Sequence, residues 1–323
     1  MSAADPIRWG ILATGGIAGK FVNDLKNLPD AEVIAVGSRA LESAQAFAQQ
    51  HGIPRAYGTW AELAADPEVD VIYVATPHSH HHAAGLVCLR LGKPLLVEKA
   101  FTLDLAQAQD LVTVARENNL FLMEAMWTRT LPSTLKMLEL IADGAIGTVT
   151  SVQAAFGLGL DFEPTHRLRN PQLGGGALLD LGVYPVHFAQ LLLGAPQHIH
   201  AWAHLHPEGT DARTGIVLGF ANGELANLFC GVGGEVRAAT VVGTKGRIEF
   251  GNGFHNASEF VLHRADAEPE LVTTALAGLH YQAAEVGRCL RAGLLESPLV
   301  PVSATLAAMR TLDAVRAQIG VVY

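Results

Sequence analysis

Asp180, Tyr184 and His187 recur at i, i+4 and i+7 in an otherwise apolar stretch, so all three fall on one helical face. A carboxylate and a phenol are groups that can move a proton. The same alignment also suits a buried capping network, and spacing alone leaves both open. Gly174-Gly175-Gly176 precede the stretch and permit close backbone approach and unusual dihedrals at the head of the helix. A further reactive group, Lys99, follows the apolar run Leu95-Leu96-Val97, at the carboxyl end of a strand where doubly wound sheets bind ligands. A lone lysine there is also an ordinary surface charge. Near the start, Ala13-Thr14-Gly15-Gly16-Ile17-Ala18 takes the form of the GxGxxG turn. Gly15 stands where backbone must approach a pyrophosphate, and Ala18 is small enough for helix–strand packing. The helix that follows offers free amides and a positive dipole end to phosphate.

Cofactor choice turns on the end of the second strand, Gly37-Ser38-Arg39. NAD enzymes place a carboxylate there for the ribose 2′-hydroxyl. Here no acidic group repels a 2′-phosphate, and Arg39, beside Ser38, can bind one through forked, charge-assisted hydrogen bonds. The expectation is NADP rather than NAD. The cluster His78-Ser79-His80-His81-His82 invites zinc, but no Cys, Asp or Glu lies nearby in sequence to complete a tetrahedral set, so no metal is expected.

These groups need elements to hold them. In the first 125 residues apolar runs at Ile7–Ala13, Glu32–Gly37, Val69–Ala75, Leu95–Val97 and Leu120–Met123 alternate with helical stretches. The helices run to Leu28 and over Leu41–Gln50, His80–Leu91 and Leu103–Glu117, the last with Thr102 as a cap. This predicts a parallel, doubly wound Rossmann-type sheet covered on both faces. From about Thr148 the period becomes two. His198–His206 alternates without a break, with four histidines and Trp202 on one side. Further strands are expected at Val149–Phe156, Gly215–Phe220, Glu224–Cys230, Ala239–Val242 and Arg247–Phe250. Helices are expected at Leu173–Leu193, His280–Ala292 and Ser303–Ile319. The fold class is therefore α/β: a Rossmann domain over 1–125 and an α+β domain with an open, mostly antiparallel sheet over 126–323, its last helix free to pack back on the first.

With 323 residues, 22 basic against 31 acidic and a net charge of −9, the chain is long enough for two cores and lacks the basic face of a nucleic-acid binder. Cys88, Cys230 and Cys289 form neither a disulfide framework nor a metal knuckle. No apolar run approaching a bilayer span and no signal peptide are expected, which points to the cytoplasm.

Taken together, Trp9-Gly10-Ile11-Leu12, Glu98-Lys99, Glu124-Ala125-Met126-Trp127-Thr128-Arg129, Gly174–Tyr184, Gly243-Thr244-Lys245-Gly246 and Arg288–Gly293 resemble the Gfo/Idh/MocA oxidoreductases, in particular their dihydrodiol and D-xylose dehydrogenase branch. The resemblance implies a nicotinamide cofactor and oxidation of a hydroxyl on a sugar, cyclic polyol or trans-dihydrodiol. It makes Lys99 the lysine of the family's Glu-Lys-Pro motif, with Ala100 in place of proline. Glu98, Thr76, Pro77, His78 and His81 would then line the cofactor groove. It implies Tyr184 as acid/base, with a pKa lowered by the Lys99 ammonium, and Asp180 as the group orienting hydroxyls or the lysine. The alternative gives proton transfer to Lys99 and leaves Tyr184 to hydrogen-bond. Trp127, Arg129 and Phe156 resemble the branch's pocket wall, and the histidine face at 198–206 resembles a dimer interface. Two other functions share these features: a non-catalytic dinucleotide sensor, and an epimerase or glycosidase that oxidises transiently.

Overall fold

A computed structural model describes residues 5–251 and 253–323. In chain order the first elements are β1 (Ile7–Leu12), α1 (Gly16–Leu25), β2 (Ala31–Gly37), α2 (Leu41–His51), β3 (Arg55–Tyr57), α3 (Trp60–Ala65), β4 (Val71–Val74), α4 (His78–Arg90), β5 (Leu95–Val97), α5 (Leu105–Glu117) and β6 (Leu122–Glu124). The strands pair in parallel in the order β3-β2-β1-β4-β5-β6. That is the doubly wound order with its switch point between β1 and β4. β4 and β5 are buried along their whole length, which is why they read as unbroken apolar runs.

The cap of α5 differs from expectation. Asp104, not Thr102, accepts from the Gln107 amide, and the Thr102 hydroxyl instead donates to the Asp104 carbonyl, so the helix starts at Leu105.

The chain continues through α6 (Pro132–Ala142), β7 (Val149–Leu158), α7 (Val183–Leu193), β8 (His198–Leu205), β9 (Asp211–Gly219), β10 (Leu225–Val232), β11 (Ala239–Gly243), β12 (Gly246–Phe250), β13 (Glu259–Arg264), β14 (Glu270–Thr273), α8 (His280–Arg291) and α9 (Val302–Ile319). β7 to β14 form one sheet, ordered β14-β13-β12-β11-β7-β10-β9-β8 and antiparallel except where β10 runs parallel to β7. One face carries the core: Val152, Ala154, Phe156, Ile216, Leu218, Leu228, Val241 and Ile248 are all buried.

The expected helix over 173–193 is a composite. A 3₁₀ turn at Pro171–Leu173 ends on Gly174 in the left-handed region, a π-turn covers Leu178–Gly182, and α7 follows directly. Pro171–Leu193 is also long and apolar enough to cross a bilayer, contrary to the sequence expectation, but most of it is buried inside the protein.

By contacts the chain divides into two compact units, one running to Trp127 and taking in Gly278–Leu306, the other comprising Thr128–Ala277 and Ala307–Tyr323. This corrects the 1–125 and 126–323 division. Residues 278–306 join the first unit because α8 packs on α1, the Leu279 amide donates to Asp24, and Arg291 pairs with Asp30 at 2.7 Å. Thr305 also donates to Glu124 of β6.

Candidate functional site

In the first unit β1 is followed by Ala13, whose φ of 117° is one normally left to glycine. Gly15 then caps α1, and a Cβ at Gly15 or Gly16 would meet nothing within 4 Å. The amides at the helix head therefore border open space, which fits a pyrophosphate. Ala18 is fully buried, as close helix–strand packing requires, while Ile17 is exposed. At the tip of β2, Arg39 Nη1 donates to His80 Nε2 at 3.1 Å. A guanidinium has only donors, so that imidazole nitrogen is the acceptor and carries no proton. Ser38 adjoins Arg39, and no carboxylate stands between Gly37 and Arg39.

The turn from β4 into α4 is tied to the segment after β5 by one side chain. His81 Nδ1 lies 2.9 Å from the Ala100 carbonyl, and its Nε2 lies 2.7 Å from the Thr76 carbonyl. Pro77 caps α4, His78 is buried edge-on to His81, and the buried Thr76 hydroxyl has no hydrogen-bond partner among the described residues, leaving a polar atom for a ligand. Glu98 is buried. It accepts from the Tyr73 hydroxyl and from the Lys99 amide at 3.2 Å, and Tyr73 is itself stacked on Phe21. The Lys99–Ala100 peptide is cis. A dinucleotide therefore fits the residues present: open amides at Gly15 and Gly16, an orphaned hydroxyl at Thr76, and a cation at Arg39.

Burial, with the neighbouring His78 adding to it, lowers the His81 pKa to about 4. A folded pKa below the unfolded one gives stability that is complete above pH 6.5 and is lost as pH falls through about 4. The shift corresponds to about 3 kcal/mol. Thermal melts across this window are expected to show that loss in the wild type and not in His81→Gln; parallel curves for the two would remove His81 as the cause. The other imidazoles of the cluster are spent on different partners, His80 on Arg39 and His82 on Asp110. Among the described residues no three His, Cys, Asp or Glu side chains gather to hold a metal ion.

In the second unit the three glycines meet the protein's own loop. Gly174 and Gly176 have φ of 69° and 113°, and a Cβ on Gly175 would stand 2.6–2.8 Å from the carbonyls of Arg167, Leu168 and Asn170. The π-turn they open carries Asp180, and such turns recur at functional sites. Asp180 faces Arg167, whose Nη atoms lie 3.3 Å from its carboxylate. Gly182 is required by packing, since a Cβ there would lie 2.8 Å from Cys230 Sγ. Tyr184 is buried on α7 with its ring 5.3 Å from Phe156 and 5.4 Å from His255, and Phe156 and His255 stack at 4.2 Å. The Arg237 guanidinium lies 6.0 Å from the Phe156 ring centre.

Of the expected wall, Phe156 thus stands beside Tyr184. Arg129 is buried in the same unit, and Trp127 belongs to the first unit, 6.0 Å from Lys20 Nζ. His187 is buried on α7, and His280 starts α8 in the first unit. Sequence reasoning did not single out Tyr73, Arg237 or His255. Their roles come from strand register and loop closure, which leave no local spacing to read.

Residues 7–126 match the oxidoreductase family with an NAD-binding Rossmann fold, and residues 134–249 match the GFO/IDH/MocA C-terminal domain. The chain is 37% identical to trans-1,2-dihydrobenzene-1,2-diol dehydrogenase of Danio rerio over 98% of both proteins. The chain belongs to the Gfo/Idh/MocA oxidoreductase family. The Homo sapiens protein of the same name is 36% identical to this oxidoreductase, again over 98% of each. Among solved structures, KijD10, a 3-ketoreductase from Actinomadura kijaniata in complex with NADP and TDP-benzene, superposes with a TM-score of 0.87 at 28% identity over 98% of both chains. The aldose-aldose oxidoreductase from Caulobacter crescentus, at 23% identity, shares the fold with a TM-score of 0.89 over 97% of both chains. Family and fold are as the motifs implied, and the protein is an NAD(P)-binding oxidoreductase.

Proposed function

We propose that this oxidoreductase is an NADP-dependent dehydrogenase acting on a hydroxyl of a sugar, cyclic polyol or trans-dihydrodiol. The observation that carries the proposal is Tyr184, a phenol set in an aromatic wall with Phe156 and His255 and borne on the same helical run as Asp180. Aromatic faces suit the C–H surface of a sugar or diol ring. The named dihydrodiol dehydrogenases support the donor class, and KijD10 with its bound NADP supports the cofactor, as does Arg39 at the β2 tip.

Gly15, Gly16 and the head of α1 hold the pyrophosphate, and Ser38 and Arg39 hold the 2′-phosphate. Thr76, Pro77, His78, His81, Glu98 and Lys99 line the cofactor groove. NADP, when bound, accepts the hydride released from the carbinol carbon. The substrate hydroxyl must lose its proton as that C–H bond breaks; Tyr184, entering the step as its phenolate, takes it and becomes the phenol, and Asp180, set against Arg167, orients the hydroxyls. The test is the appearance of NADPH with a panel of aldoses, inositols and trans-dihydrodiols, repeated with NAD. Turnover with NADP is expected. Tight NADP binding without turnover on any of them would point to a sensor instead.

We further propose a homodimer through the open face of the β7–β14 sheet, in a cytoplasmic protein. His198, His200, Trp202 and His204 point outward from β8, Trp202 is 75% exposed, and Val217 and Leu225 of β9 and β10 are exposed on the same face. Three buried, free thiols suit a reducing compartment. Light scattering is expected to give a dimer for the wild type and a monomer for Trp202→Asp, because a carboxylate at the centre of this face loses its water on association without gaining a partner. A dimer mass retained by Trp202→Asp sinks the interface.

A further inference from the structure

Asp211 is a buried carboxylate that the reaction above does not use. It begins β9, is 1% exposed, and its Oδ2 accepts from two donors at 2.8 Å: the Leu178 amide and the Thr214 hydroxyl. Leu178 is the first residue of the π-turn. Ala177 before it has no side chain able to cap the orphan amides of a helix start, so Asp211 performs that task from a neighbouring strand. The fit is tight. A Cβ on Gly176 would collide with Asp211 Oδ1, and the Gly176 φ of 113° excludes other residues independently.

Burial pushes the Asp211 pKa up to about 6, against the pull of Thr214 and the backbone amides. Its titratable neighbours, Cys230 and Tyr323, bring no positive charge, and among the described residues no cation pairs with Asp211. A carboxylate kept without an ion-pair partner, at a position that destabilises it, is typical of a group held for function.

From this geometry we infer that Asp211 is a positioning residue: by gripping the head of the π-turn beneath Gly176 it sets the place of Asp180, two residues on, and of Tyr184, six residues on. The inference rests on the assignment of Asp180 and Tyr184 to the reaction. Displacing a reacting group by a fraction of an ångström is enough to slow turnover severalfold or more.

The test is Asp211→Leu, which removes both acceptor oxygens at similar size, alone and combined with Tyr184→Phe. The single variant is expected to lose about tenfold in kcat, with KM for the dinucleotide within about twofold of wild type. In the double variant the losses are expected not to multiply in full, because the part of the Asp211 effect that passes through Tyr184 is already removed while the part through Asp180 remains. Losses that multiply in full, or an unchanged kcat, overturn the inference. A crystal structure of Asp211→Leu gives a readout independent of activity: the π-turn is expected to shift and Asp180 to leave Arg167. A π-turn left in place overturns the inference even if Tyr184→Phe has shown the acid/base assignment itself to be wrong. Should Asp211→Leu fail to fold, Thr214→Val removes one of the two donors and keeps the carboxylate. It is expected to lose about threefold in kcat with the same non-additivity, and full activity in that variant overturns the inference equally.

Discussion

Tyr184→Phe is expected to lower kcat by about 10²–10⁴-fold while leaving NADP affinity unchanged. The substitution deletes one oxygen and keeps the ring, so the packing of Tyr184 against Phe156 and His255 survives and the fold is not at risk. The elements proposed to bind the dinucleotide lie in the first unit, whereas α7 lies in the second, so a loss confined to kcat isolates the chemical step. Removing an interaction made only as the proton moves lowers kcat and kcat/KM together. Lys99→Met is the companion variant. If Tyr184→Phe keeps kcat within about threefold of wild type and Lys99→Met shows the large loss, the proton passes through the lysine. NADPH absorbance in single turnover, with cofactor affinity followed by fluorescence, decides between them.

Arg39→Asp is expected to weaken NADP by about 10²-fold and to turn the preference towards NAD. The guanidinium at the β2 tip is exposed and held by His80, so it is free to offer its forked donors to a 2′-phosphate. An aspartate there repels that phosphate and can accept from a ribose 2′-hydroxyl instead. Because the site is open to solvent, the NADP preference of the wild type is expected to shrink as salt rises. Titration of both dinucleotides into both proteins at low and high ionic strength measures this. Equal NADP affinity in wild type and variant would remove Arg39 from cofactor choice.

Much of the architecture is legible from local pattern because burial is periodic. β4 and β5 are covered on both faces and read as continuous apolar runs, while β8 is covered on one and alternates residue by residue. The glycines at 174–176 are legible because a positive φ or contact with neighbouring carbonyls demands them, whereas Gly15 and Gly16 face open space. Weakly patterned elements are not: β3 is three half-buried residues, and β14 is mostly exposed, so neither has a face to announce. The parallel pairing of β10 with β7 is equally silent, since either direction would bury the same alternate residues.

Residue types and their spacing along the chain determined the Rossmann half and the sheet that follows it, and offered Lys99, Asp180, Tyr184 and Arg39 as candidates that only the family resemblance separated from structural roles. Tertiary structure alone decided which partners those groups have. Tyr73 holds Glu98, His81 joins the carbonyls of Thr76 and Ala100, His255 closes the wall beside Tyr184, and Asp211 caps the π-turn from another strand. It also decided that residues 278–306 return to the first unit. The physical reason is range. Periodicity records which face of an element is buried, a property of neighbours three or four residues away, whereas a contact such as Asp211 to Leu178 depends on how separate elements pack and leaves no mark on the spacing between them.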